Sequence, residues 1–178
     1  MTSASKILMG GSGSGPAYEI DQSLIFDRAS TTTLSRTPSS AGNRKTYTYS
    51  GWIKRASIGS SDGEAIFGTY DGSSQNDATW TTLMFGGTSG SYGDALAFNG
   101  WSTNYRTTNR VFRDISAWYH IVVAVDTTAS TADNRVRIYV NGVEETSFGT
   151  KNNMAQHDNT AINNTQKHDI GAITTYST

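Results

Sequence analysis

The chain contains no cysteine. That excludes disulfides, thiolate nucleophiles and cysteine-based zinc sites. Secreted β-domains of higher cells often carry a disulfide, so the absence points towards a bacterium or a virus assembled in its cytoplasm. Charge is also sparse, at 16% of residues against about 25% in an average chain. Fourteen basic and fifteen acidic residues leave a net charge of −1. With no basic excess, nucleic acid is not expected as the main partner. No block of like charge forms an interaction tail. No apolar run approaches the ~20 residues of a membrane-spanning helix. Near the start only Ile7, Leu8 and Met9 follow one another, which is too short for a signal-peptide core.

What fills the chain instead is Ser, Thr, Asn and Gly, with 11% aromatics that include four Trp and nine Tyr. That mixture suits an all-β sandwich or barrel, and the aromatic content argues against disorder. At 178 residues one domain is expected, given a typical size of roughly 150. Residues 1–17 are set apart as a Gly/Ser-rich arm. Composition alone reads it as a flexible leader. The sharper reading is an arm docked on another protein, with Ile7, Leu8 and Met9 as its anchor. Residues 18–178 form the folded domain.

Within that domain the apolar period is two. Tyr47–Lys54 puts Tyr47, Tyr49, Gly51 and Ile53 on one face and Thr48, Ser50 and Trp52 on the other. Trp118–Asp126 is the strongest strand, apolar on both faces, and is expected to be central with cover on each side. Shorter strands are expected at Leu24–Phe26, Thr33–Ser35, Ala65–Tyr70, Trp80–Phe85, Ala95–Asn99, Tyr105–Thr108 and Asp169–Ile173. Arg135–Val140 and Val143–Thr146 flank Asn141-Gly142, a hairpin signal because both turn positions need positive φ. Spacings of about 10–15 residues with turn signals between suggest a sandwich rather than βαβ units. No helical period and no internal repeat stand out. The expected core is Leu24, Phe26, Tyr49, Ile53, Ile66, Phe67, Leu83, Phe85, Leu96, Phe98, Ile121, Val123, Val125, Ile138 and Val140.

The order TYTYSGWIKR, AIFG, AWYHIVVAVD, VRIYVNGVEE and HDIGA resembles the concanavalin A-like lectin/glucanase jelly roll of the laminin-G/pentraxin type. Trp52, Trp118, His120, Tyr139, Asn141 and Gly142 are the matching positions, and the resemblance spans about residues 20–173. It implies a two-sheet antiparallel jelly-roll sandwich. In that family a further strand usually follows the Ile-Gly-Ala stretch. Here the sequence stops soon after Ile170-Gly171-Ala172, so the chain is expected to be a fragment or to have the gap filled by its arm or a neighbour. Residues 3–55 resemble structural proteins of tailed phages, marine and cyanobacterial ones among them.

Hydrolases on this fold need two carboxylates flanking the bond, about 5–5.5 Å apart for retention or about 6.5–9.5 Å for inversion. The Glu-X-Asp-X-X-Glu strand of the retaining ones is absent, and only Glu19, Glu64, Glu144 and Glu145 are present. Glu144-Glu145 beside the hairpin reads as a solvated edge. No Gly-X-Ser-X-Gly elbow exists, and His120 reads as a structural histidine. Asp62, Glu64, Asp71, Asp77 and Asp94 are loop carboxylates that suit calcium, and they equally suit turns. Trp80, Tyr92, Asn99, Trp101, Asn104, Tyr105 and Arg106 have the character of a glycan site and equally that of a polar sandwich edge.

The sequence thus points to a non-enzymatic virion structural protein of a tailed phage, exposed on the particle surface as a tail-fibre or capsid-decoration component. Its partners would be other virion proteins through residues 1–16, and further copies of itself. A host-glycan-binding lectin module of a receptor-binding fibre is the alternative, and a glycoside hydrolase the remote one. No cofactor is required on this reading, and calcium is the one candidate.

Overall fold

The computed structural model of the protein describes residues 23–26, 32–59, 63–70, 72, 76–86 and 93–171. Its strands in chain order are β1 (Leu34–Arg36), β2 (Thr46–Ile53), β3 (Glu64–Tyr70), β4 (Trp80–Phe85), β5 (Ala95–Gly100), β6 (Asn104–Val111), β7 (Tyr119–Asp126), β8 (Val136–Val140), β9 (Val143–Glu144), β10 (Phe148–Lys151) and β11 (His168–Ile170). They build two antiparallel sheets. One runs β1-β11-β3-β4-β5-β6-β10 and the other β2-β7-β8-β9. The all-β sandwich expected from composition and period is therefore the fold.

The period-two pattern places the core. Ile121, Val123 and Val125 of β7 and Val136, Ile138 and Val140 of β8 point from the smaller sheet. Leu83, Phe85, Leu96 and Phe98 meet them from the larger one. Tyr49 stacks on Phe67 across the gap, with ring centroids 5.3 Å apart. The Asn141-Gly142 turn has φ values of 52° and 81°, the two positive angles that its sequence requires.

Three expectations need correction. Residues 23–26 form no strand, and Leu24 is 67% exposed, so it is not core. No facing strand covers that stretch among the described residues. Second, β7 has neighbours on both edges but core on only one face. Its outward His120, Val122 and Ala124 are half-exposed. Third, Glu145 is not a solvated edge residue: it is buried and paired with Arg110 at 2.7 Å.

β10 was not legible as a strand, because Phe148–Lys151 reads FGTK with a central glycine. It adds to the edge of β6 through a register shift. A second irregularity lies between β5 and β6, where Phe98 faces Arg106 and Asn99 faces Asn104. The extra residue turns both Tyr105 and Arg106 towards the sandwich interior. Tyr105 packs on Phe98, and Arg106 donates to the carbonyls of Tyr105, Asn152 and Asp133.

Candidate functional site

The outer face of the seven-stranded sheet is unusual for an outer face. On β4 and β5 every residue is buried, whichever way it points. Leu83, Phe85, Leu96 and Phe98 are directed inward, which leaves Trp80, Thr82, Met84, Ala97 and Asn99 outward by alternation. Register extends the polar line across the sheet. Ser35 faces Asp169, Asp169 faces Gly68, Gly68 faces Thr82, Thr82 faces Asn99, and Asn99 faces Asn104. Thr107 lies one row away, opposite Ala97.

Four polar atoms on this face are buried and hydrogen-bond to nothing: Trp80 Nε1, Thr82 Oγ1, Asn99 Oδ1 and Thr107 Oγ1. Thr82, Asn99 and Thr107 are each no more than 2% exposed. A buried polar atom left unpaired costs about 1–3 kcal/mol, and folded proteins match nearly all of them with protein, water or ligand. Four on one face of three adjacent strands is a strong local exception. Beside them Trp80 meets Trp101 edge-on at 5.8 Å. Trp101 is 37% exposed and marks the solvent-facing rim of the row. The backbone bends sharply there: a Cβ on Gly100 would sit 2.6 Å from the Asp77 carboxyl, so only glycine fits.

A family model for the concanavalin A-like lectin/glucanases superfamily matches residues 20–172. The chain belongs to that superfamily. No curated protein and no solved structure matches it. The superfamily's description covers sugar-binding lectins and sugar-cleaving glucanases alike.

In this concanavalin A-like domain, the residues singled out from sequence divide into groups. Trp80, Asn99, Trp101 and Asn104 come together on or beside the outer face. Tyr105 and Arg106 do not. The Tyr105 hydroxyl donates to Asp77 Oδ2 at 2.9 Å, and burial together with the Asp77 charge pushes its pKa far up. The Arg106 guanidinium also donates to Asn153 Oδ1 and stacks over Phe148. Both act as struts of the sandwich. Tyr92 lies outside the described residues, as do Ile7, Leu8 and Met9 of the arm. Sequence reasoning missed Thr82 and Thr107, because a threonine in a β-strand carries no functional signal by itself.

The calcium candidates are scattered. Asp62 and Asp71 lie outside the described residues. Asp77 accepts from Ser102 N–H and Tyr105 O–H. Asp94 and Glu64 are held by arginines: Arg55 lies 2.9 Å from Asp94 and 3.0 Å from Glu64, and Arg113 lies 2.9 Å from the other Asp94 oxygen. Among the described residues no three His, Cys, Asp or Glu side chains gather in the manner of a metal site. No helix among them is long and apolar enough to cross a membrane.

A depression of about 300 Å³ opens on the inner side of β1 and β11, lined by Leu34, Arg36, Phe67, Asn163 and His168 among others. Here Asn163 N–H donates to His168 Nε2 at 2.9 Å, and Nδ1 faces the Gln166 carbonyl at 2.9 Å. These partners fit the neutral ring protonated on Nδ1. Burial accordingly lowers the His168 pKa below its usual value near 6.5. The unfolded chain then binds the extra proton more readily, so stability falls as pH drops below about 6.5 towards the lowered value. Melting temperature followed over that window is expected to decline in the native protein and to decline less in His168→Gln. Equal slopes would remove His168 from the account.

Proposed function

We propose that this domain is a non-catalytic sugar-binding module, and that its binding site is the outer face of the seven-stranded sheet. The observation that carries the reading is the row of unpaired buried atoms, Trp80 Nε1, Thr82 Oγ1, Asn99 Oδ1 and Thr107 Oγ1, beside the Trp80–Trp101 pair. A sugar supplies what these groups lack. Its hydroxyls donate and accept, and its ring faces lie against aromatic walls, the mixture of apolar surface and few convergent polar groups that ligand sites show. Trp101 at the rim gives the approach from solvent. The carboxylate of the polar line, Asp169, is occupied by Ser35 at 2.6 Å and Lys167 at 3.2 Å, an arrangement suited to holding strands together rather than to proton transfer.

The setting we propose is the surface of a tailed-phage particle, with the module serving host attachment. Its support is the resemblance of residues 3–55 to tailed-phage structural proteins and the Gly/Ser-rich opening with its Ile7, Leu8 and Met9 cluster.

The test is a glycan array probed with and without calcium, followed by calorimetry on any hit. Asn99→Ala and Trp101→Ala are each expected to weaken binding roughly tenfold or more, which is about 1.4 kcal/mol. An array without hits in both conditions would count against the sugar reading, and so would a hit unaffected by either substitution.

A further inference from the structure

The outer face of the four-stranded sheet is the inverse of the first. It is open to solvent, yet Trp52, Val122, Ala124 and Tyr139 put apolar surface in its middle. By register its rows are Trp52 with His120, then Ser50, Val122, Tyr139 and Glu144, then Thr48, Ala124 and Arg137, then Thr46 and Asp126. An antiparallel sheet that faces water normally alternates apolar inward and polar outward. Here β7 carries Val122 and Ala124 outward, with Tyr139 opposite Val122 and Trp52 one row away opposite His120. Trp52 is 54% exposed and stacks on the His120 ring at 5.0 Å, which is itself fixed by Ser50 Oγ at 2.9 Å. Trp118, two residues before His120, is 47% exposed. The aromatic groups are therefore held in place and left uncovered, which is the signature of an interaction surface.

The charges on the same face indicate what covers it. Arg137 on β8 and Glu144 on β9 are exposed, and neither makes an ion pair with a described residue. They sit in adjacent rows on adjacent strands, with Tyr139 opposite Glu144 and two residues along β8 from Arg137. A line drawn from Trp52 past Val122 reaches the gap between Arg137 and Glu144. A twofold axis along that line lays Trp52 on Trp52 and Val122 on Val122, and sets each Arg137 opposite the other chain's Glu144. The face is thus complementary to itself in charge, which an isologous dimer requires.

We propose that a second copy of this chain docks here, sheet face to sheet face, with two reciprocal Arg137–Glu144 ion pairs astride the axis and the Trp52, Val122 and Tyr139 surface between them. Such a dimer turns the two seven-stranded sheets, and whatever they bind, away from each other. The proposal is independent of the sugar reading, because it involves the opposite sheet.

Sedimentation equilibrium on the full chain, from micromolar to hundreds of micromolar, tests it. The native protein is expected to dimerise. Arg137→Glu and Glu144→Arg are each expected to weaken the dimer roughly tenfold or more, since each sets like charges opposite one another at a docked face. The double variant restores the pairing with its signs exchanged and is expected to recover most of that loss. Recovery cannot come from misfolding, and both single variants lie at exposed positions. A native protein that stays monomeric throughout would overturn the proposal. A dimer indifferent to both single variants would also overturn it, as would one that the double variant fails to restore.

Discussion

Phe112→Ala is expected to remove about 3–5 kcal/mol of folding stability, the range for a large aromatic taken out of a core. Phe112 lies just beyond β6 and is 1% exposed. Its ring tilts against Phe85 at 5.2 Å and meets Tyr119 edge-on at 5.1 Å, so it joins the two sheets at one end of the sandwich. Its backbone is held as firmly. The N–H donates to the Asp94 carbonyl at 2.9 Å, and the carbonyl accepts from the Arg55 guanidinium. A site fixed on both sides collapses poorly around a cavity, which favours the upper half of the range. Since whole domains are stable by only about 5–15 kcal/mol, urea unfolding should show a large shift in midpoint with little change in slope. A loss under 1 kcal/mol would mean that the end of the sandwich repacks freely.

Asp94→Ala should act on the same corner by another route. Arg55 is buried among the Phe112 carbonyl, Glu64 and Asp94, with its guanidinium 4.8 Å above the Phe85 ring. Asp94 accepts from Gly59 N–H at 2.8 Å as well as from both arginines, and these bonds hold its pKa below the usual carboxylate range, that of Gly59 most of all. Removing one member of a buried ion pair costs about 3–5 kcal/mol, because the other charge is left stranded. The lower end applies here, since Arg113 on the far side of Asp94 is largely solvated and Glu64 still faces Arg55. The companion double variant Arg55→Met with Asp94→Leu removes both charges together. It should lie closer to the native protein than Asp94→Ala does. If Asp94→Ala unfolds at the native denaturant concentration, the cluster contributes no net stability.

Phe112 and Arg55 could not have been picked out beforehand, and the reason is physical. The strands that were legible, YTYSGWIK and WYHIVVAVD, carry their burial as a local alternation that a short window contains. The Asn-Gly turn is likewise complete in two residues. Phe112 and Arg55 stand in connecting segments with no period around them, and they meet each other and Phe85 only across the fold. Tyr105 and Arg106 misled for a related reason. Strict alternation would send one of them outward, and the irregularity opposite Phe98 and Asn99 sends both inward. Asn99 and Trp101 were legible as candidates because aromatic and amide side chains cluster within residues 97–110, and Trp80 was legible as an aromatic residue alone. The unpaired Thr82 and Thr107 that complete the row become visible only when β4, β5 and β6 lie side by side.

The position of β11 has a kinetic consequence. It is inserted between β1 and β3, pairing Ile170 with Leu34 on one side and with Phe67 on the other. Ile170 is separated from each of these partners by more than a hundred residues of sequence. On a ribosome the chain can therefore assemble the hairpins β3-β4, β4-β5 and β7-β8 as each emerges, while the slot beside β3 stays vacant until His168–Ile170 arrive. Closing so long a loop is slow, and sheets dominated by distant pairings fold on timescales of milliseconds to seconds. Until then the exposed ladder of β3 is a site at which nascent copies can pair wrongly. In the finished protein β1 and β11, three residues each and last to dock, should be the first ladders to open in hydrogen exchange.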